Sequence, residues 1–131
     1  MENGSPGTRA RRTVIIADDE SSNRLLVRAT IGADGFDVVE ASDGDEAWAL
    51  IQELRPALVL LDVRMSGRTG LEITRAIRSD SSLAGTKVII LSASGLASDM
   101  TTALAAGADF FLTKPFSPRD LLLRMDEALL L

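Results

Sequence analysis

The sequence contains neither cysteine nor histidine. Without cysteine there are no disulfides, no thiolate zinc sites and no thiol nucleophile, and the composition suits a reducing compartment. Without histidine, Ser-His-Asp and Cys-His catalysis, His-ligated zinc or haem, and a role as a phosphohistidine carrier are excluded. Acid chemistry therefore falls to carboxylates. Also missing is any uninterrupted apolar run near the roughly 20 residues that span a bilayer, and the amino end, MENGSPGTRARR, lacks the apolar stretch of a secretory signal. These absences predict a soluble, cytoplasmic protein with no membrane partner.

What remains has the make-up of a globular domain. The chain has 131 residues, of which 46% are hydrophobic and 25% charged, enough for one core in one domain of ordinary size. Fourteen basic residues against 19 acidic ones give a net charge of −5; Arg9, Arg11 and Arg12 against Glu2 make the first twelve residues +2, so the remainder carries −7. An acidic body repels nucleic acid, which is not expected as a direct partner. Residues 1–12, rich in Gly, Ser, Pro and Arg, read as a flexible leader, with the folded domain over 13–131.

Within that domain, five short apolar runs alternate with helical patterns: Thr13–Ala17, Phe36–Glu40, Ala57–Leu61, Lys87–Leu91 and Asp109–Thr113. Runs so short and continuously apolar predict strands covered on both faces, the signature of a parallel sheet. Between them, Ala47, Leu50, Ile51 and Leu54 fall on one face of a helix that must end before Pro56. Comparable stripes use Leu25, Leu26 and Ala29, then Ile73 and Ile77, then Met100, Ala103 and Leu104, and finally Leu121, Leu122, Met125 and Leu129. Gly32, Gly35 and Gly107 sit where helices should stop. Five strands and five helices in strict alternation predict an α/β fold: a doubly wound parallel sheet with right-handed crossovers.

In such a sheet, ligands bind beyond the carboxyl ends of the strands. Asp18 and Asp19 follow the first predicted strand, Asp62 the third, Ser92 the fourth and Lys114 the fifth. Three carboxylates, a hydroxyl and an ammonium thus converge from positions remote in the chain. The acids repel one another unless a cation joins them, and the hard, oxygen-seeking Mg2+ suits a carboxylate set that also meets phosphate oxygens. Lys114 and Ser92 would address those oxygens. This pattern points to transfer of a phosphoryl group onto a carboxylate nucleophile.

The segments IIADDESSNR, LVLLDVRMSG, VIILSAS and AGADFFLTKPF, taken together, resemble the receiver domain of two-component response regulators over nearly the whole of Thr13–Leu131. The resemblance implies a flavodoxin-like sheet in the order 2-1-3-4-5. Asp62 would be the phosphoacceptor, charged by a sensor histidine kinase, a phosphotransfer protein or a small phosphodonor. Asp19 and Asp62 would ligate Mg2+ directly, Asp18 through water, and the backbone carbonyl of Arg64 would add another oxygen. Ser92 and Lys114 would hold the phosphoryl group. Phe111 would be the switch aromatic coupled to Ser92, and the Lys114–Pro115 peptide would be cis. The implied role is a signalling switch, not an enzyme with an external substrate. Its output face would be the fourth helix, fifth strand and fifth helix, which could also form a homodimer.

Several residues depart from the family pattern. Ser66 replaces a common proline, Ser92 a common threonine and Phe111 a frequent tyrosine, so Phe111 can act by packing alone. Arg64, two residues past Asp62, occupies a position expected to influence the lifetime of the acyl phosphate. Each residue also has a plainer reading: Asp19 or Ser92 as helix caps, Asp62 as a turn residue, Lys114 as surface and Phe111 as core. Asn23 and Arg24 read as helix surface. In the last helix Leu123 and Leu130 lie on a face separate from the core stripe, either scattered leucines or part of a partner surface. The LLL ending is compatible with truncation before an output domain.

Other functions fit less well. A magnesium-dependent phosphohydrolase with an aspartyl nucleophile commonly has a second acid where this chain has Arg64. A flavin-binding electron carrier would need a phosphate loop where Asp18 and Asp19 stand. A pseudo-receiver that binds partners without phosphate is disfavoured by the intact set of five residues.

Overall fold

The computed structural model describes residues 12–130, so residues 1–11 of the expected leader lie outside the described residues. Arg12 belongs to the fold, because the ladder between the first two strands runs out to its pairing with Phe36.

The strands are β1 (Arg12–Ala17), β2 (Phe36–Ala41), β3 (Leu58–Asp62), β4 (Lys87–Ser92) and β5 (Phe110–Thr113). The helices are α1 (Ser21–Ile31), α2 (Gly44–Leu54), α3 (Gly70–Arg78), α4 (Ala97–Ala105) and α5 (Pro118–Leu130), with short 3-10 turns at Gly32–Asp34 and Ser81–Leu83. All strand pairs are parallel and the order is β2-β1-β3-β4-β5. This is the flavodoxin-like, doubly wound topology.

Side-chain alternation along the strands builds two cores. Ile15, Val59, Leu61, Val88, Ile90 and Phe111 face one side and pack with Ala47 and Ile51 of α2, Ile73 and Ile77 of α3 and Ala103 of α4. Val14, Ile16, Leu58, Leu60, Ile89 and Leu91 face the other and pack with Val27 and Ile31 of α1 and Leu121 and Met125 of α5. Both faces are covered, which is why the strand runs are apolar at every position. The strands end slightly later than the apolar runs imply: β3 and β4 take in Asp62 and Ser92, whose side chains are buried.

Local signals define the helix ends. Thr69 and Glu72 form a reciprocal capping box at the start of α3, with Thr69 Oγ1 accepting from the Glu72 N–H at 3.1 Å and Glu72 Oε1 from the Thr69 N–H at 2.9 Å. Asp43 caps α2 by accepting from the Glu46 N–H. Pro56 halts α2 at Leu54, and Gly35 and Gly107 adopt the positive φ angles that reverse the chain after α1 and α4.

Three predicted stripes are corrected, the smallest change being in α2, where Leu54 at the helix end is exposed while Ala47 and Ile51 are buried. In α1 the buried residues are Val27 and Ile31, while Ala29 is exposed and Leu25 is 64% exposed. At about 100° per residue, Leu25 lies far round the helix from Val27. Arg24 and Arg28 hold that rotation by pairing with Glu40 of β2 at 3.0 and 2.7 Å. In α4 the sheet is met by Ala103, leaving Met100 and Leu104 largely exposed.

Candidate functional site

The carboxyl ends of β1, β3, β4 and β5 deliver the side chains expected there. Parallel register sets Ala17 beside Leu61, Asp62 beside Leu91 and Ser92 beside Thr113, so the residues at or just after these pairs emerge on one edge of the sheet. Asp18 is fully buried, Asp62 and Ser92 are buried, and Asp19 is exposed. Gly70 opens α3 directly against Asp62: a Cβ there would stand 2.4 Å from the Asp62 carbonyl oxygen. A side chain at position 70 would push the acid-bearing strand end away from the helix.

One oxygen from each of Asp18, Asp19 and Asp62 lies within 4.8 Å of the others. Lys114 Nζ bridges two of these carboxylates, 2.8 Å from Asp18 Oδ2 and 3.0 Å from Asp62 Oδ2. The Arg64 N–H donates to Asp62 Oδ1 at 3.2 Å, and the Glu20 N–H donates to Asp18 Oδ1 at 2.9 Å. The Lys114–Pro115 peptide is cis.

Burial holds the Asp62 carboxyl above its ordinary range, and the Asp18 charge adds to that effect, against the lowering influence of Lys114 and the Arg64 N–H. Burial alone would pull the Lys114 ammonium down. Its hydrogen bonds to Asp18 and Asp62, with their charges, outweigh that and raise it. The site therefore has one strongly held cation among three acids, with net negative charge at the mouth of the sheet.

These groups open onto a cleft of about 460 Å³ lined by Asp19, Asp62, Arg64, Ser92 and Lys114, with Glu20 and Asp99 at its edges. The structure thus gathers Asp18, Asp19, Asp62, Arg64, Ser92 and Lys114 around one feature. Phe111 is buried beneath α4 and lines a second cavity of about 510 Å³ with Met100 and Leu123. Asp19 does not cap α1, whose cap position is Glu20. Ser92 does not cap α4 either: its hydroxyl oxygen accepts from the Ser94 N–H at 3.1 Å, well before Ala97.

Asn23 and Arg24 are corrected from helix surface to supports of the site. Asn23 Nδ2 donates to Asp18 Oδ2 at 3.2 Å, and Arg24 Nη1 donates to the Asp18 carbonyl oxygen at 2.7 Å. The available signal was their place in the first turn of a helix entered directly from the acid pair, where side chains point back toward the preceding loop.

The model of the response regulator receiver domain family matches residues 14–126. The chain belongs to this family. Among curated relatives, the DNA-binding response regulator MtrA of Mycolicibacterium paratuberculosis is 34% identical over 115 residues, covering 88% of this chain and 50% of the relative. The chain spans about half the length of the curated relatives it matches. The chemotaxis response regulator CheY4 of Vibrio cholerae has a similar structure, with a TM-score of 0.85 at 32% identity, covering 91% of this chain and 99% of the other. The receiver domain of sensor histidine kinase PA1611 from Pseudomonas aeruginosa, solved with a magnesium ion in its active-site cleft, has a TM-score of 0.82 at 26% identity and covers 92% of this chain and 98% of its own. Among the described residues, this receiver domain has no helix long and apolar enough to cross a membrane.

Proposed function

We propose that this receiver domain is a phosphoacceptor switch in which Asp62 takes a phosphoryl group from phosphohistidine on a sensor histidine kinase or phosphotransfer protein. The observation that carries this reading is the Lys114 ammonium shared between the buried carboxylates of Asp18 and Asp62 at the floor of an open cleft. An Asp62 oxygen attacks phosphorus while the bond from phosphorus to the donor nitrogen breaks, and the donor leaves with that electron pair. Lys114 then turns from Asp62 Oδ2 to a phosphoryl oxygen, and the Ser92 hydroxyl, whose oxygen already accepts from Ser94, has its own proton free to donate to another.

The donor set is all oxygen, anionic and beside an open cleft, which fits Mg2+. Asp18, Asp19, Asp62 and the Arg64 carbonyl would hold it, and bound there it would neutralise charge on the phosphoryl oxygens. The magnesium recorded in the PA1611 receiver cleft supports this assignment by similarity. The Arg64 side chain, exposed at the cleft, is proposed to shield the acyl phosphate and set its lifetime.

Output is proposed through α4, β5 and α5. Phe111 lies under this face, and Met100, Leu104 and Leu123 are exposed on it. Displacement of Ser92 toward the phosphoryl group would free space for the Phe111 ring to repack, altering what the face offers a partner or a second copy. Its own phosphorylation and dephosphorylation are the only reactions proposed for the domain, in a cytoplasmic setting and without direct nucleic-acid contact.

Incubation with Mg2+ and acetyl phosphate, followed by intact mass measurement, tests the reading. The wild type is expected to gain one phosphoryl increment and Asp62→Asn none; equal labelling of both would overturn it.

A further inference from the structure

Resting on the reading of Asp62 as phosphoacceptor, we propose that Asn23 is a positioning residue that keeps Asp18 fixed when Lys114 transfers to the phosphoryl group. Asp18 is fully buried, and its two oxygens are held unequally. Oδ1 accepts from the Glu20 N–H at 2.9 Å, a bond within the same loop. Oδ2 accepts from two side chains, Lys114 Nζ at 2.8 Å and Asn23 Nδ2 at 3.2 Å.

Only one of those two donors can remain throughout the reaction. The Lys114 ammonium also bridges to Asp62 Oδ2 at 3.0 Å, so it moves when Asp62 becomes an acyl phosphate and new anionic oxygens compete for it. Asp18 Oδ2 would then lose its charged protein donor while Asp18 stays buried, and loss of a donor to a buried charge is costly. Asn23 offsets this. Its amide comes from the first turn of α1, an element separate from the segment after β5 that carries Lys114. The same amide also donates to Glu20 Oε1 at 3.3 Å, which ties the carboxylate at the cleft edge to the same anchor.

The amide is neutral, and this matters. A cation at position 23 would compete with magnesium, and a carboxylate would repel Asp18. A neutral donor holds Asp18 without altering the charge that draws the metal. The loss of Asn23 is therefore expected to weaken the phosphorylated state much more than magnesium binding, a split that a merely structural role would not produce.

The test uses wild type, Asn23→Ala and Asn23→Asp, with magnesium affinity read by isothermal titration calorimetry and phosphorylation from saturation with acetyl phosphate by intact mass. Asn23→Asp is isosteric but reverses the contact from donor to repelling anion, and thermal melts of each variant with Mg2+ separate loss of reactivity from loss of fold. The expected result is magnesium affinity within about threefold of wild type in Asn23→Ala, with acetyl phosphate reactivity lowered about tenfold, the scale of one lost hydrogen bond to a charged group. Asn23→Asp is expected to lose at least as much reactivity and, without metal, to melt below wild type, because its carboxylate faces the buried Asp18. Variants that react like a phosphorylatable wild type, or that lose metal affinity and reactivity in equal measure, overturn the proposal alone. A wild type that gains no phosphoryl group overturns the underlying reading and this proposal with it.

Discussion

Asp62 carries a charge that burial and the neighbouring Asp18 oppose even with Lys114 beside it. Its carboxyl is raised by burial and by Asp18, so the folded state binds a proton more readily than the unfolded chain does. Stability from this group is present in acid and is lost as pH rises through the raised value. Replacing it with a neutral isostere removes that cost. Without Mg2+, Asp62→Asn is expected to melt above wild type at neutral pH, with the gap closing as the pH falls into the carboxylate range. Added Mg2+ should raise the wild-type midpoint by mass action and shrink or reverse the difference. Thermal melts across pH with and without the ion check this, and a variant less stable than wild type in metal-free neutral buffer would contradict it. Lys114 differs, since among the described residues its ammonium is the one donor shared by Asp18 and Asp62. Lys114→Ala is expected to slow phosphorylation by acetyl phosphate about a hundredfold, the typical cost of removing one donor from a developing anion. Initial rates by intact mass would measure it.

The elements were legible where burial dominates and less so where rotation about a helix axis decides. Five apolar runs marked five strands because both faces of this sheet are covered, and the acids, hydroxyl and lysine stood out by following those runs. The stripe of α1 was misread because Leu25 is as apolar as Val27 and Ile31; Leu26 does pack on the core, and the tie from Arg24 and Arg28 to Glu40 across the sheet edge accompanies the rotation that leaves Leu25 outside. That tie is a contact with another strand, invisible to spacing within the helix. Asn23 was missed for the same reason: an amide in a helix reads as surface until the buried carboxylate it faces is known. The correction has a measurable consequence. Leu25→Ser is expected to change stability by less than about 0.5 kcal/mol, whereas Ile31→Ala, at a fully buried position, should cost about 2–5 kcal/mol. Denaturant unfolding of both variants would decide it, and equal losses would restore Leu25 to the core.

At the scale of the molecule, the two-sided core leaves a polar edge, proposed for the chemistry, and the α4-β5-α5 face, proposed for output. Leu104 is 49% exposed and Leu123 is 51% exposed, with the Phe111 cavity between α4 and α5. If phosphorylation repacks this face for self-association, sedimentation should give a monomer in Mg2+ alone and a dimer when beryllium fluoride, a phosphoryl mimic, is added. Leu123→Asp should abolish the shift. A monomer under both conditions at high concentration would confine the output to other partners. All of this depends on Asp62 receiving the phosphoryl group, and the site of the acyl phosphate can be read chemically. Borohydride reduces an aspartyl phosphate to homoserine, which peptide sequencing by mass spectrometry locates. After phosphorylation in Mg2+ the expected result is homoserine at position 62 alone; homoserine at position 18 or 19, or at none, would contradict the assignment.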